Sequence, residues 1–277
     1  MRPLVLFAAG TLIVQCHVFA QQRPLRTDDA ELVKTGRVRI EFGMEFLQGQ
    51  QFPLSGLEGD LTRVGVTSIH VGMGEYAEFQ LSGVIQNFLS VTERIQPIIP
   101  PDFSGNSTSD FGDLVLATKL RLAPEKGARP ALAFKFAVQL PNANNESGLG
   151  TDTTDFFASA LMGKTVRSIR VVGNVGVGIL ADPTRGDRQN DVVTFGVSLA
   201  RAMTNEVELV GEINGRANTR TEALPGTESR GIVKFGARYT RGPARFDAAA
   251  LMGMTERDPS IGFAVGVTYI FNAFKVH

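Results

Sequence analysis

Between Pro130 and Pro141 the chain reads PALAFKFAVQLP. Leu132, Phe134, Phe136, Val138 and Leu140 fall on even positions, and Ala131, Ala133, Lys135, Ala137 and Gln139 on odd ones. A strict period of two predicts a β-strand with one bulky apolar face and one small or polar face. The bounding prolines suit strand ends, where the ladder needs no N–H. Residues 37–46 alternate in the same way, with Val38, Ile40, Phe42, Met44 and Phe46 against Arg37, Arg39, Glu41, Gly43 and Glu45. A face that carries so many charges is wet, so the apolar face has either a soluble core or lipid against it.

The same pattern predicts twelve strands, at 37–46, 63–72, 77–89, 112–122, 130–141, 155–166, 169–180, 192–202, 206–216, 231–240, 245–254 and 261–271. Only the sixth has no clear parity. Each is about 10–12 residues long, and a tilted strand needs ~9–11 to cross a bilayer. The connections alternate. Those at 47–62, 90–111, 141–154, 181–191 and 217–230 are long and polar, with a shorter one at 255–260. Those at 73–76, 167–168, 203–205 and 241–244 are tight, and 123–129 is the longest of that set. Long loops at one end and short turns at the other describe an outer-membrane barrel. The fold class predicted is therefore all-β: an antiparallel up-and-down transmembrane β-barrel of about twelve strands, with long extracellular loops and short periplasmic turns. A soluble β-sandwich fits the alternation of loop lengths poorly. Tyr76, Tyr239 and Tyr269 all fall at the short-turn end, where amphipathic rings favour the bilayer interface. The last strand, with Ile261, Phe263, Val265, Val267, Tyr269 and Phe271 on one face, is similar to the aromatic-ended strand read by the outer-membrane assembly machinery.

Composition narrows the partners. The chain has 277 residues and a formal net charge of zero, which gives no reason to expect nucleic acid. No internal run of about 18 apolar residues occurs, which excludes a helical membrane protein. Residues 1–20 read as a signal peptide: Arg2, an apolar centre from Leu4 to Val14, and a small-residue cleavage site at Ala20. Residues 21–36 form a polar periplasmic lead-in, 37–271 the barrel and 272–277 a C-terminal tail. The single cysteine, Cys16, lies in the leader, so disulfides and thiolate metal sites are not expected in the exported chain.

Candidate chemistry lies on the polar parity. Arg39, Glu41, Glu78, Lys119, Lys135, Gln139, Glu208, Glu212, Lys234 and Arg238 are expected to line the lumen and any substrate path. Both signs are present, which favours weak ion selectivity or internal pairing over a pore of one charge. A symmetric hairpin would place Glu212 opposite Lys234 and Glu208 opposite Arg238. Catalysis is not expected. After the leader the only histidines are His70 and His277, and Ser68 shares a face with His70 but has no identifiable third member. No P-loop or metal-spaced histidine pair occurs. The loop sequence NANNESG is read as solvated rather than calcium-binding. No cofactor or metal is expected; the partners expected are outer-membrane lipid, the assembly machinery and small-molecule solutes.

Three stretches carry a family resemblance: PLRTDDAELVKTGRVRIEFGMEF, DFGDLVLATKLRLAPEKGARPALAFKFAVQLPNANNESGLGTD and SIRVVGNVGVGI. Through them the chain resembles the outer-membrane proteins named for the MetA pathway of phenol degradation, which are labelled transporters. The resemblance implies an outer-membrane channel for passive uptake of small molecules, hydrophobic or aromatic ones among them, and carries over no site residues. Two alternatives remain beside it. One is a barrel that conducts nothing, with long side chains or the lead-in filling the lumen. The other is a lipid-acting hydrolase.

Overall fold

A computed structural model describes residues 23–274, and within them no helix occurs. The expected signal peptide at 1–20 lies outside the described residues, as does the end of the tail. Thirteen strands form one sheet: β1 (Arg37–Phe52), β2 (Leu57–Met73), β3 (Ala77–Arg94), β4 (Ser107–Asp110), β5 (Leu114–Ala123), β6 (Ala131–Leu140), β7 (Asp155–Val166), β8 (Ile169–Ala181), β9 (Gln189–Ala202), β10 (Val207–Asn218), β11 (Arg230–Arg241), β12 (Ala244–Gly253) and β13 (Ile261–Asn272). Neighbours pair antiparallel, and β1 closes the wall on β13, with Arg37 opposite Asn272 and Gln48 opposite Ile261. Closure leaves no open edge along the twelve long strands, which lipid requires.

The alternation sorts the two faces inside out. Phe42, Phe46, Phe134, Phe136, Val175, Val177 and Phe263 are exposed on the outer face, while Arg39, Lys119 and Lys234 are among the largest fully buried side chains. A soluble sandwich would show the reverse, so the apolar belt faces lipid. Tyr76, Tyr239 and Tyr269 are exposed at the short-turn end. β7, ambiguous from sequence, turns Asp155, Leu161 and Gly163 inward and Phe156, Ala160 and Met162 outward.

Two expectations are corrected. Twelve long strands form the wall, the one expected at 112–122 among them as β5, but the loop expected at 90–111 carries an extra short strand, β4. β4 pairs with the outer half of β3 (Asn87 to Ser90), and β5 with its inner half (Ala77 to Ser82). Between them Gly112 N–H donates to Val84 O at 2.8 Å. The first long loop, expected at 47–62, is strand for most of its length, with a tight connection at 53–56. The ladder continues through Leu47 opposite Leu61 and Gln50 opposite Gly59, and slips between those pairs. Gly49, at φ 63°, absorbs the slip. A bulge adds one residue and reverses parity. That is why the alternation stops being legible there while the strand goes on.

β10 and β11 have the expected register: Glu208 opposite Arg238, Glu212 opposite Lys234 and Ile213 opposite Val233. Residues 17–277 contain no cysteine. In the register observed, Ile213→Cys with Val233→Cys should therefore form a disulfide under mild oxidation, because directly opposed Cα atoms lie within disulfide range. Ile213→Cys with Ile232→Cys, on opposite faces of the wall, should not. Non-reducing electrophoresis of the two variants checks this.

Candidate functional site

The inward rows of most strands are polar in the half of the barrel nearer the short turns, and the lead-in lies against them. Gly36, at φ 76°, lets the chain reverse just before β1, and Arg37 N–H closes the reversal on Lys34 O at 3.0 Å. From there residues 23–35 enter the lumen rather than trail into solvent. Arg23, Leu25, Thr27, Asp28, Asp29, Ala30, Leu32 and Val33 are all buried.

Charge holds this segment on every side. The Asp28 carboxylate accepts from Lys119 Nζ at 3.0 Å and Lys135 Nζ at 2.8 Å. Asp29 takes a bidentate pair from Arg170, Nε at 3.0 Å and Nη2 at 2.5 Å. Glu212 accepts from the Arg26 and Thr27 backbone N–H groups and from Thr27 Oγ1, each at 2.8 Å. Lys234 Nζ and Arg238 Nε donate to Pro24 O at 3.1 Å and Arg23 O at 2.7 Å. Glu78 accepts from Val33 N–H. The wall also makes room. Gly43 of β1 sits opposite Gly266 of β13, and a Cβ on Gly266 would stand 2.3 Å from Arg23 Nε. Only glycine lets that guanidinium lie flat on the wall. Small apolar contacts finish the fit: Ala30 with Ala131, Ala133 and Leu161, and Leu25 with Ala200 and Val210.

All ten residues expected to line the lumen lie on the inward row, though not as one site. Arg39 pairs with Glu41 at 3.1 Å. Glu78 and Lys119 lie 3.3 Å apart. Gln139 stands apart, donating to Asp113 at 2.7 Å. Glu208 meets Arg238 at 3.4 Å and Arg245 at 3.5 Å. The expected Glu212–Lys234 pair has its register but only a 3.9 Å approach, because Glu212 is occupied by the lead-in. The charges serve the inserted segment more than each other.

Ser68 does find a third member. His70 Nε2 lies 2.5 Å from Ser68 Oγ, and His70 Nδ1 lies 2.9 Å from Glu78 Oε1. Arg39 Nη2 lies equally close to Nδ1, at 2.9 Å. Glu78 can accept from an Nδ1–H while Arg39 can donate to an Nδ1 lone pair, so the two compete for Nδ1, and the single-acid orientation of a Ser-His-acid triad is not imposed.

Beyond the lead-in, toward the long loops, a cavity of about 860 Å³ opens. Part of its upper wall is apolar, beside Gln50, Arg216, Arg230 and Asp258. Leu47, Leu57, Leu61, Leu89 and Leu251 form a buried cluster against which Phe52, Leu149 and Ile232 pack. The cluster is not visible in the sequence alone, because 47–62 and 90–111 read as loops. One signal was available: Leu251 shares the inward parity of Arg245 and Asp247. The loops close over the mouth. Leu54 O accepts from Ile98 and Ile99 N–H at 2.8 and 2.9 Å, Ser55 Oγ donates to Gly148 O at 2.7 Å, and Arg230 Nη2 donates to Gln51 O at 3.2 Å.

Residues 23–271 match the family model described as Putative MetA-pathway of phenol degradation. Among solved structures, the chain is similar to the COG4313 outer membrane channel from Pseudomonas putida F1, at 14% identity and a TM-score of 0.61, over 88% of this chain and 98% of that one. It is also similar to the translocator domain of the autotransporter NalP from Neisseria meningitidis, at 15% identity and a TM-score of 0.49, over 85% of this chain and 88% of that one. No curated protein matches. The fold is that of an outer-membrane β-barrel.

Two outcomes are expected if the lead-in closes the lumen. Deleting residues 23–35 should raise single-channel conductance in planar bilayers several-fold. Asp28→Asn should raise the open fraction, because a buried cation that loses its partner costs about 3–5 kcal/mol. The pH dependence follows from the same carboxyl. Burial pushes the Asp28 carboxyl up, but Lys119 and Lys135 outweigh that, with Glu78 opposing, and hold it well below the usual carboxylate range. A group depressed on docking stabilises the docked state above its free value of about 3.9 and loses that contribution as pH falls below it. Conductance should therefore be flat from pH 8 to 5 and rise below about 4.

Proposed function

The chain belongs to that phenol-degradation family, and we propose that it is a passive outer-membrane channel for small hydrophobic molecules, closed at rest by its own lead-in. The observation that carries the reading is the chamber above the charged plug, with a leucine cluster along part of its wall. Ligand sites of about 300–1,000 Å³ with mostly apolar walls suit compact hydrophobic solutes. A water-filled pore for polar solutes would instead need a continuous polar path, and residues 23–33 occupy that path. A monoaromatic compound, as the family's label suggests, fits the chamber. Export by a signal peptide at 1–20 and insertion by the assembly machinery through β13 belong to the same reading. The apolar belt then rests against outer-membrane lipid.

The Ser68–His70–Glu78 arrangement favours a second reading, a serine hydrolase acting on lipid-like esters. The Arg39 contact on Nδ1 argues against it, and the channel reading stands first.

The first reading is checked in intact Gram-negative cells. Expression of the full chain should speed uptake of the neutral hydrophobic dye N-phenyl-1-naphthylamine several-fold, while proteoliposomes should swell little in isosmotic sugar. Rapid sugar swelling without faster dye uptake would overturn it. For the second reading, the purified barrel should resist a fluorophosphonate probe; labelling abolished by Ser68→Ala would restore the hydrolase.

A further inference from the structure

The floor of the apolar chamber carries more donors than its acceptors can use. Arg26 Nη2 of the lead-in and Arg63 Nη1 of β2 share a single oxygen, Glu45 Oε2, at 3.0 and 2.8 Å. Their side chains remain 42% and 24% exposed, and both line the chamber. Each guanidinium has five N–H groups, and Glu45 takes one from each. Lys234 adds a third positive charge 3.5 Å from the other Glu45 oxygen. The remaining carboxylate beside it, Glu212, is occupied by backbone N–H groups.

The acids elsewhere on the chamber wall are already served. Asp113 accepts from Asn142 N–H, Ala143 N–H and Gln139 Nε2, at 3.1, 3.0 and 2.7 Å. Asp155 accepts from Ala181 N–H at 3.0 Å, and Asp258 from Gly231 N–H at 2.8 Å. Asn214, also on the wall, has a buried Nδ2 with no acceptor. Neutral amide oxygens of Asn87 and Asn174 on the wall also lack a donor among the described residues. Each carboxylate there has an N–H or cation partner, so the chamber offers unused cationic donors at its floor and an apolar patch above them.

From this asymmetry we infer that the chamber binds amphiphiles with an anionic head: a carboxylate at Arg26 and Arg63, with a hydrocarbon or aromatic tail among Leu47, Leu61, Leu149 and Ile232. Planar guanidinium forks match a carboxylate in two-point geometry, and such charge-assisted hydrogen bonds are the strong ones. A cationic amphiphile would face Arg26 and Arg63 with no free carboxylate. A neutral one would leave the donors unused. Because Arg26 rides on the lead-in and Arg63 on the wall, the head group is read by both at once. The inference rests on the hydrophobic-channel reading and narrows its substrate class.

The test is displacement of N-phenyl-1-naphthylamine from the barrel in nanodiscs, corrected by empty nanodiscs, using dodecanoate, dodecanol and dodecyltrimethylammonium. Dodecanoate should displace the dye at a concentration about tenfold lower than dodecanol. Arg63→Gln should erase that advantage and leave dodecanol unchanged, so dodecanol reports that the variant is folded. If Arg63→Gln binds neither, Arg26→Gln, which lies outside the barrel wall, should show the same selective loss. Equal potency of dodecanoate and dodecanol, or preference for the ammonium, overturns the anionic-head assignment while the apolar chamber stands. Failure of all three to displace the dye overturns the assignment and the channel reading together.

Discussion

Charge burial inside the barrel is the constraint on which the rest of this structure depends. The inward parity puts Arg39, Glu78, Lys119 and Lys234 where water has little access, and an unpaired ion there is costly. The wall neutralises part of this by itself, through contacts such as Arg39 with Glu41. The remainder is met by a segment from outside the wall, whose two aspartates and backbone groups answer Lys119, Lys135, Arg170 and Lys234. The lead-in is thus a component of the lumen's electrostatics and not an appendage to it.

This arrangement divides the interior in two. Near the short turns, charged groups of both signs crowd around the lead-in, some held by ion pairs rather than by hydrogen bonds: Arg245 Nε and Nη2 and both Asp247 oxygens have no hydrogen-bond partner among the described residues. Toward the long loops, the same inward row turns apolar at Leu47, Leu61 and Leu251, where the lead-in no longer reaches. A hydrophobic solute gains by leaving water for the upper half and meets a closed ionic layer at its base. In the proposed reading, selectivity for apolar solutes follows from this layering without any narrow constriction. In a barrel of this size the lumen lies between the filled eight-stranded barrels and the open porins, so a short inserted segment suffices to occlude it.

Sequence alone carried the architecture well, because a transmembrane strand must alternate and must satisfy its backbone in a closed ladder. The β10–β11 register was legible because a one-residue slip would have put Glu212 and Lys234 into lipid. The outer ends of β1 and β2 were not legible, since the bulge at Gly49 reverses the parity on which the reading depends. The fate of the lead-in was open for a different reason. Its residues have no periodicity, and the partners of Asp28 and Asp29 lie about 90 to 141 residues away in sequence. Glu78 as the neighbour of His70 was missed because it sits across a hairpin, on the next strand.

The reversal at Gly36 has a kinetic consequence. Residues 23–35 are joined to β1 with no intervening linker, and at about 3.3–3.6 Å per extended residue they cannot stray more than roughly 45 Å from the barrel mouth. A released segment therefore stays at an effective concentration on the order of millimolar relative to its own dock. Reinsertion is then a first-order event whose rate ignores how much protein the membrane holds. Each barrel resets itself, so a population of them would act as independent, self-closing valves, with no diffusible inhibitor to titrate or to lose.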